Sequence, residues 1–264
     1  MKNFAYIVIG FSLVIGCAEK ELVLQTKEVT LKSPDGIVGL GDSTAQAILY
    51  RNIPSFESLT VDESKQKFIA AVLPAILIAK YRLEQDREQL KSLIAKEDWS
   101  PEDSSFYKIQ VARFNTEDST KLLSRMLTHP NSIILAQAAV ESGWGSSRFF
   151  QQANNLFGIW SYNANEPRIK ASYSRGDKQV YLRKYADVSE SITDYLETVG
   201  RSRAYRRFRN ARAESDDVDE LLPYLKYYSE RRDAYVDQLR TIIRQNNLTQ
   251  YDSYTIDPTF FVEQ

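Results

Sequence analysis

The stretch Ser132-Ile-Ile-Leu-Ala-Gln-Ala-Ala-Val-Glu141-Ser-Gly-Trp-Gly-Ser146 is a run of apolar and small residues that ends in one acidic residue and two glycines. The run predicts a helix, and Gly143 and Gly145 predict its end. An ionised glutamate is almost never buried without a partner, and apolar surroundings raise the pKa of its carboxyl group. A raised pKa suits a general acid that works near neutral pH. The stretch therefore predicts that Glu141 cleaves a bond by protonating the leaving group.

The sequence on either side of this stretch predicts a mainly helical protein with one small β-hairpin. Apolar residues recur at helical spacing over 62–94, and Pro74 within that range should either start a new helix or kink a long one. A Ser-Pro pair at 100–101, followed by two acids, indicates the start of a helix that ends near Phe114. The other expected elements are helices over 116–127, 189–199, 218–226 and 229–245, and hairpin strands over 169–173 and 179–185.

Composition and charge argue against several classes of chemistry. The chain of 264 residues carries 34 basic and 35 acidic residues, so bulk charge gives no indication of a nucleic-acid partner. His129 is the only histidine, and it has no metal-ligand companions at suitable spacing. We therefore expect His129 to be structural, and we expect no metal, no cofactor and no Cys/His nucleophile. The 16 tyrosines suit a helical protein with an aromatic-lined groove, although tyrosines also fill ordinary cores.

The first residues of the chain predict a lipoprotein signal peptide over 1–17. A basic residue at position 2 precedes an apolar run that is too short to span a bilayer. The run ends in Val14-Ile15-Gly16-Cys17, which resembles a bacterial lipobox, so we expect Cys17 to carry a lipid that anchors the protein to a membrane outside the cytoplasm. Ala18 fits the pattern that directs lipoproteins to the outer membrane of Gram-negative bacteria. The alternative is an ordinary buried cysteine near a leader.

Two spaced motifs together resemble a known family. The block Gln137-Ala-Ala-Val-Glu141-Ser-Gly-Trp-Gly-Ser146, followed by Asn155-Leu-Phe-Gly-Ile159, is similar to the signature of glycoside hydrolase family 73, the glucosaminidases that cut peptidoglycan. The Tyr181-Leu-Arg-Lys-Tyr185 strand and the helical segment before the first block resemble the bacterial Bax-like subgroup. The resemblance covers roughly residues 63–212.

The resemblance implies a mainly α (α+β), lysozyme-like fold, in which a helical lobe faces a small β-hairpin lobe across a groove. It also implies that Glu141 is the general acid for cutting β-1,4 bonds after N-acetylglucosamine in cell-wall glycan, without a cofactor. We expect a tether or irregular arm over 18–58, an added helical subdomain over 59–125, the glucosaminidase domain over 126–248 and a tail over 249–264. The expected partners are peptidoglycan glycan strands and, through the lipid, a membrane.

The second catalytic group stays open at the level of sequence. Cleavage of a glycosidic bond usually takes two carboxylates, and the family resemblance implies a second acid in the β-lobe, yet the corresponding strand Lys170-Ala-Ser-Tyr173 has none. Glu166 is the best candidate nearby, and Asp177 is the next. The third possibility is that the 2-acetamido group of the substrate acts as the nucleophile. By resemblance, Tyr205 lies near the cleavage point and hydrogen-bonds that group, against an equally plausible packing role.

Several residues are candidates for binding substrate. Asn154, Asn155 and Phe157 are expected to shape the floor of the groove, with Asn155 favoured as a partner of the loop backbone. Trp144 and Trp160 are candidates for stacking on sugar rings, although the default for a tryptophan is the core. Of these two, Trp160 is favoured as the substrate-facing one.

Residues 201–212 contain six arginines. A solvated helical face is the favoured interpretation, ahead of a contact with the peptide carboxylates of peptidoglycan or with nucleic acid.

Three alternatives to the hydrolase remain: a lytic transglycosylase that uses the same glutamate, a catalytically silent scaffold that binds peptidoglycan, and a helical lipoprotein that binds a protein partner.

Overall fold

The computed structural model describes residues 22–175 and 178–263, apart from the side chains of 173–175 and 178. Within that part of the chain most residues are helical. The helices are α1 (Val61–Ile94), α2 (Pro101–Phe114), α3 (Ser119–Arg125), α4 (Asn131–Ser142), α5 (Arg148–Ala153), α6 (Val188–Arg201), α7 (Arg206–Glu214), α8 (Val218–Leu221) and α9 (Asp233–Gln245). The strands are β1 (Leu22–Leu24), β2 (Lys27–Thr30), β3 (Thr44–Ala45), β4 (Ile48–Asn52), β5 (Arg168–Arg175), β6 (Lys178–Arg183), β7 (Thr255–Ile256) and β8 (Phe261–Glu263).

Helix α1 is the central element of the core. It begins with a capping box in which the Thr60 side chain and the Glu63 carboxylate each accept from the other's backbone N–H. Every residue from Phe68 to Ala79 is buried, as expected for a helix surrounded by others. The helix continues through Pro74, so this proline does not start a new helix.

The expected separate subdomain over 59–125 is not a separate packing unit. One continuous hydrophobic core includes residues from α1, α2 and α3 together with residues from α4, α6 and α9. Helix α1 packs directly against α6 and α4. A boundary at residue 125 is therefore not visible in the packing, because the apolar face of α1 is covered by the later helices.

The end of helix α4 is a sharp left-handed turn. Gly143, Trp144 and Gly145 have φ values of 58°, 56° and 86°, a region that favours glycine. A Cβ atom at Gly145 would lie 3.1–3.2 Å from the rings of Phe56, Phe68 and Phe150. The turn therefore favours glycine at both positions, and it ends α4 at Ser142, one residue after Glu141.

The predicted hairpin is present. Strands β5 and β6 pair antiparallel, and Trp160 makes an additional antiparallel bridge to Leu182. Ala171, Val180 and Leu182 form a small core of their own, covered by Phe149 and Trp160. This hairpin is the small lobe that stands beside the main helical core.

The segments expected to be a tether and a tail are packed against each other. Strand β1 pairs antiparallel with β8, β3 pairs parallel with β7, and β2 pairs parallel with β4. Apolar side chains of the first segment, such as Ile48, Leu49 and Ile53, are buried in the main core. The expectation of an irregular arm over 18–58 is therefore wrong for residues 22–58.

The signal peptide and Cys17 lie outside the described residues, as does Asp177 in the hairpin turn. Among the helices of the described part, none combines the length and the apolar character needed to cross a membrane.

Candidate functional site

Glu141 lies in an open groove of about 620 Å³ between the helical core and the hairpin lobe. The last turn of α4 supplies Glu141, helix α6 supplies one wall, and the loop after α5 together with β6 supplies the opposite wall. The residues that line it are Glu141, Phe157, Ile159, Trp160, Tyr162, Arg183, Tyr195, Thr198, Arg201, Tyr205 and Tyr228. The groove is thus walled mainly by aromatic side chains.

Glu141 is an exposed residue by surface area and its side chain opens into the groove, although enough protein packs around the carboxyl group to shift its pKa. Burial raises its pKa above the ordinary value, while the hydroxyl of Tyr235, which donates a hydrogen bond to the carboxylate, and the charge of Arg231 oppose this shift. A raised pKa is the property that the sequence predicted for this residue.

Tyr235 is itself held by a chain of buried hydrogen bonds. The Gln137 amide donates from Nε2 to the Tyr235 hydroxyl over 3.3 Å, and the Tyr195 hydroxyl donates to Gln137 Oε1 over 2.5 Å. Gln137 lies one turn before Glu141 on α4, so it reaches the same side of the helix. The chain fixes the direction in which Tyr235 donates, which is towards Glu141.

His129 and Arg212 form the inner end of this chain. His129 Nε2 lies 2.9 Å from the Tyr195 hydroxyl, and Arg212 Nη1 lies 3.5 Å from His129 Nδ1. Because a guanidinium only donates, Nδ1 accepts and the proton of the neutral ring sits on Nε2. Burial, and then the charges of Arg212 and Lys80, hold the pKa of His129 well below its ordinary value. His129 therefore stays neutral and serves the hydrogen-bond chain.

Tyr205 lies in the groove close to Glu141. Burial, and then the charge of Glu141, raise the pKa of Tyr205 to about 12, so its hydroxyl stays protonated and remains able to donate. Its ring centroid is 6.0 Å from that of Tyr228, which stacks on Tyr235 at 5.5 Å. Tyr205 and Tyr228 line the groove beside Glu141, and Tyr235 is buried behind them.

Phe157 and Trp160 also lie in the groove. Phe157 stacks on Tyr195 with ring centroids 4.2 Å apart, which places it at the floor. Trp160 lies 6.1 Å from Tyr162, whose side chain is 84% exposed at the mouth of the groove. Of the two candidate tryptophans, the favoured one therefore lines the groove.

Trp144 lies elsewhere. Its ring meets the edge of Phe68 at 5.5 Å, and Lys65 lies over it. It lines a separate, mostly apolar cavity of about 290 Å³ with Phe56 and Leu59. The prediction that Trp144 contacts substrate in the groove is not supported, because the left-handed turn after Glu141 directs this side chain against α1 and away from the groove lining.

Asn154 and Asn155 are occupied by the protein backbone. The Asn154 amide lies 3.1 Å from the carbonyl oxygens of Arg51, Tyr185 and Ala186. The Asn155 amide donates to the carbonyl of Ile159 and accepts from the N–H of the same residue. Neither side chain lines the groove, so both hold the loop that carries Phe157 and Trp160.

The best candidate for a second acid does not line the groove. Glu166 Oε2 lies 3.4 Å from Arg183 Nε, and Arg183 also pairs with Asp194 at 2.6 Å. Arg183 itself lines the groove. Among the described residues that line the groove, Glu141 is the only carboxylate.

Residues 201–212 only partly form the solvated face that we expected. Arg209 and Arg212 are buried, and Arg209 donates to the carbonyls of Val199 and Ser202 at the end of α6. Arg201 pairs with Asp194 at the edge of the groove. Three of the six arginines are therefore used by the fold or the groove wall.

Sequence reasoning missed Tyr195, Tyr228 and Tyr235 as residues around Glu141. For Tyr228 and Tyr235 the available signal was the density of tyrosines over 224–235, where four occur in twelve residues, and Tyr195 lies outside that stretch. Over residues 22–175 and 178–263, no group of three or more His, Cys, Asp or Glu side chains is arranged to hold a metal ion.

Comparison with known proteins places this groove in a family. The profile described as mannosyl-glycoprotein endo-beta-N-acetylglucosaminidase, the Glucosaminidase family, matches residues 117–248, which is half of the chain. Protein bax of Escherichia coli (strain K12) is 27% identical over 199 residues, which cover 69% of each chain. Exo-glucosaminidase LytG of Bacillus subtilis (strain 168) is 27% identical over 128 residues, covering 46% of this chain and 45% of LytG.

Among solved structures, the catalytic domain of the autolysin Auto from Listeria monocytogenes superposes with a TM-score of 0.40 at 25% identity, over 64% of this chain and 97% of that domain. The family match covers α4, the hairpin and the helices that build the groove. The chain belongs to the glucosaminidase family of glycoside hydrolases.

Proposed function

We propose that this glycoside hydrolase cuts β-1,4 bonds after N-acetylglucosamine in the glycan strands of peptidoglycan, with Glu141 as the general acid. The single observation that carries the proposal is the position of Glu141, whose pKa is raised and which lies in an open groove lined mainly by aromatic side chains. The names of two relatives, an exo-glucosaminidase and an autolysin of Enterococcus faecalis that is 32% identical over 132 residues, support the cell wall as the source of substrate.

The groove walls suit a saccharide. Sugar rings present apolar C–H faces, and aromatic side chains such as Trp160 and Tyr162 offer matching surfaces. The pKa of Tyr205 is raised to about 12, so its hydroxyl is protonated at neutral pH. It can donate a hydrogen bond to the acetamido group next to the scissile bond. Glu141 then faces the glycosidic oxygen from the floor.

With one carboxylate lining the described groove, we propose that the substrate supplies the nucleophile. The acetamido carbonyl oxygen attacks the anomeric carbon, and the bond to the leaving-group oxygen breaks as that oxygen takes the proton of Glu141. Water then attacks the anomeric carbon and gives its proton to the Glu141 carboxylate. The acetamido group is restored, and the products are two shorter strands, one with a new reducing N-acetylglucosamine end.

The test compares Glu141→Gln with the wild type on purified cell wall, by zymography and by counting reducing ends. Removal of a general acid lowers the rate by about 10²–10⁴-fold, so the variant should leave the wall intact. Glu166→Gln is the matched control, since Glu166 does not line the groove although its partner Arg183 does, and this variant should retain most activity. Equal clearing by the wild type and Glu141→Gln would sink the proposal, and no clearing by either would favour a silent scaffold.

The second candidate function is a lytic transglycosylase, which the same single carboxylate favours. Such an enzyme forms an anhydro sugar, so its product is one water lighter than the hydrolysis product. Mass spectrometry of borohydride-reduced fragments separates the two reactions, because only the hydrolase leaves an end that borohydride reduces. The same fragments show whether cuts occur within strands or at their ends.

We further propose that Cys17 carries a lipid that holds the enzyme at a membrane facing the cell wall, in the outer membrane of a Gram-negative cell. Strand β1 begins at Leu22, so four residues separate this anchor from the fold and reach at most about 3.6 Å each. Metabolic labelling with an alkyne fatty acid tests the anchor. Label should appear on the wild type and disappear from Cys17→Ala, and label on both or on neither would contradict the anchor.

A further inference from the structure

A second concave site lies beside the groove. It has a volume of about 400 Å³ and is lined by Arg203, Ala204, Arg206, Arg207, Tyr227 and Arg232. We name it the arginine pocket. None of its lining residues is acidic, and the ion pairs among the described residues include none that involves these four arginines. Four arginines that make no ion pair among the described residues therefore line one concave surface of a chain whose net charge is -1.

Among these arginines, Arg232 has a contact within the fold, since its guanidinium lies 5.1 Å from the centre of the Tyr227 ring; the positions of Arg206 and Arg207 are unfavourable. Arg206 and Arg207 stand in the first turn of α7, which contains no acidic residue, although cations are unfavourable at the positive end of a helix dipole. On the same helix Arg209 and Arg212 point inwards and donate to carbonyl oxygens. Arg206 and Arg207 are exposed and make no ion pair among the described residues, although Arg207 also lines a neighbouring concavity with Glu214 and Glu220. Arg206 in particular can therefore meet an external anion.

The arginine pocket shares its wall with the groove. Tyr205 lines the groove while its chain neighbours Ala204 and Arg206 line the pocket. In the same way Tyr228 lines the groove and the preceding residue, Tyr227, lines the pocket. An anion bound in the pocket would therefore contact residues adjacent in the chain to Tyr205 and Tyr228, which line the groove beside Glu141.

We propose that the arginine pocket binds the carboxylates of the peptide that peptidoglycan carries beside its glycan strand, an inference that rests on the proposed function. The sugars of that strand bear no free charge where the peptide is attached, so the peptide carboxylates are the anions nearest to the cut. Guanidinium groups match carboxylates in a two-pronged geometry that ammonium groups lack. The pocket thus selects glycan that still carries its peptides over bare glycan of the chitin type.

The experiment uses one polymer in two charge states: purified cell wall, and the same wall with its carboxyl groups amidated by carbodiimide and ammonia. Binding is measured by co-sedimentation in the Glu141→Gln background, so that the wall is not digested. The pocket variant is Arg203→Gln with Arg206→Gln. The matched control is Arg244→Gln, an exposed arginine near the other end of α9 without an ion pair among the described residues.

The pocket variant should bind untreated wall about fivefold more weakly, as expected for loss of partly exposed charge pairs, and amidated wall equally well. Arg244→Gln should change neither affinity. Thermal melting should show no loss of stability in the pocket variant, since its arginines oppose the α7 dipole. A pocket variant that keeps the full preference for untreated wall, or one that loses affinity equally for both walls, would overturn the proposal.

Two further measurements distinguish the carboxylate proposal from phosphate binding, and the arginine pocket from the proposed catalytic function. If inorganic phosphate releases the protein at a lower concentration than acetate does, and amidation has no effect, the pocket takes phosphate and the carboxylate proposal fails. Reducing ends are counted in parallel with the unmutated enzyme. An absence of cleavage of either wall defeats the proposed function, whereas normal cleavage without a carboxylate preference defeats only the arginine pocket.

Discussion

At the residue scale, Glu141 carries a stability cost that its chemistry explains. Burial holds its folded pKa above the ordinary 4.5, so at pH values between the two the folded chain holds more protons than the unfolded chain. Stability therefore falls as pH rises through that window. Because glutamine is neutral throughout, Glu141→Gln should melt at a higher temperature than the wild type at pH 7 and at the same temperature below about pH 4.

Scanning calorimetry across pH 3.5–8 checks this prediction. The control is Glu63→Gln, since the hydrogen bonds of Thr60 lower the pKa of Glu63 in the capping box. Because the folded pKa of Glu63 is lowered and not raised, its carboxylate stabilises the fold. Glu63→Gln should therefore be less stable than the wild type at pH values above the ordinary pKa of a glutamate. A Glu141→Gln protein that melts lower than the wild type at pH 7 would show that the carboxylate is stabilised by its surroundings, contrary to a proton donor.

Tyr235 sets the position of the alkaline limb of the activity profile. A general acid works when protonated, so activity falls as pH rises through the pKa of Glu141. The Tyr235 hydroxyl lowers that pKa by donating to the carboxylate, and Tyr235→Phe removes the donor while keeping the ring. The variant's alkaline limb in kcat should therefore move to higher pH.

Tyr228→Phe is the matched control, because Tyr228 stacks on Tyr235 but is not a hydrogen-bond partner of Glu141. Its alkaline limb should stay in place even if its rate changes. A limb that is unmoved in Tyr235→Phe, or moved equally in both variants, would mean that the hydroxyl does not control the proton on Glu141.

The sequence was most informative about Glu141, because a charged residue among apolar ones has few purely structural explanations. A lone glutamate among apolar residues at a helix end was found in the groove, and so were Tyr205, Phe157 and Trp160. Asn154 does not line the groove. A side-chain amide hydrogen-bonds a backbone carbonyl as readily as a sugar hydroxyl, and the path of the loop determines which of them it contacts. The tyrosine Tyr235 reaches Glu141 from another helix, a contact that no local pattern encodes.

At the element scale, helix α6 connects the groove to the rest of the core. It supplies Tyr195, Thr198 and Arg201 to one wall, and near its end Gly200 lies where α2 and α3 meet. A Cβ atom at Gly200 would be 2.6 Å from the carbonyl oxygen of Arg125 and 2.9 Å from the ring of Phe114. The close approach of these helices therefore depends on the absence of a side chain.

Gly200→Ala should lower the free energy of unfolding by about 1–3 kcal/mol, as for overpacking elsewhere, although alanine is the better helix former. Urea unfolding followed by circular dichroism measures the change. Gly39→Ala is the matched control, since a Cβ atom there meets nothing within 4 Å. A Gly200→Ala protein as stable as the control would mean that α6 can shift away from α2 without cost.

Elements defined by local signals were predictable, and elements defined by distant partners were not. The Ser100 cap with Pro101 marked the start of α2, and the structure ends that helix at Phe114 as expected. The strands of the first segment have two to five residues, too few to show a period. Thr44 pairs with Thr255 from the other end of the described chain, so this strand exists only once the whole chain has folded.

At the scale of the whole molecule, the first segment is part of a single core that also supports α4 and α6. Ile53 in that segment is 1% exposed, whereas Leu22 is 56% exposed. Ile53→Ala should therefore lower the free energy of unfolding by about 2–5 kcal/mol, while Leu22→Ala should change it by less than about 0.5 kcal/mol. Because the core is continuous, Ile53→Ala should move one cooperative thermal transition rather than create a second. Calorimetry, with cell-wall digestion as a second measurement, tests both points. If Ile53→Ala melts at the same temperature as Leu22→Ala, the first segment is a tether and not part of the core.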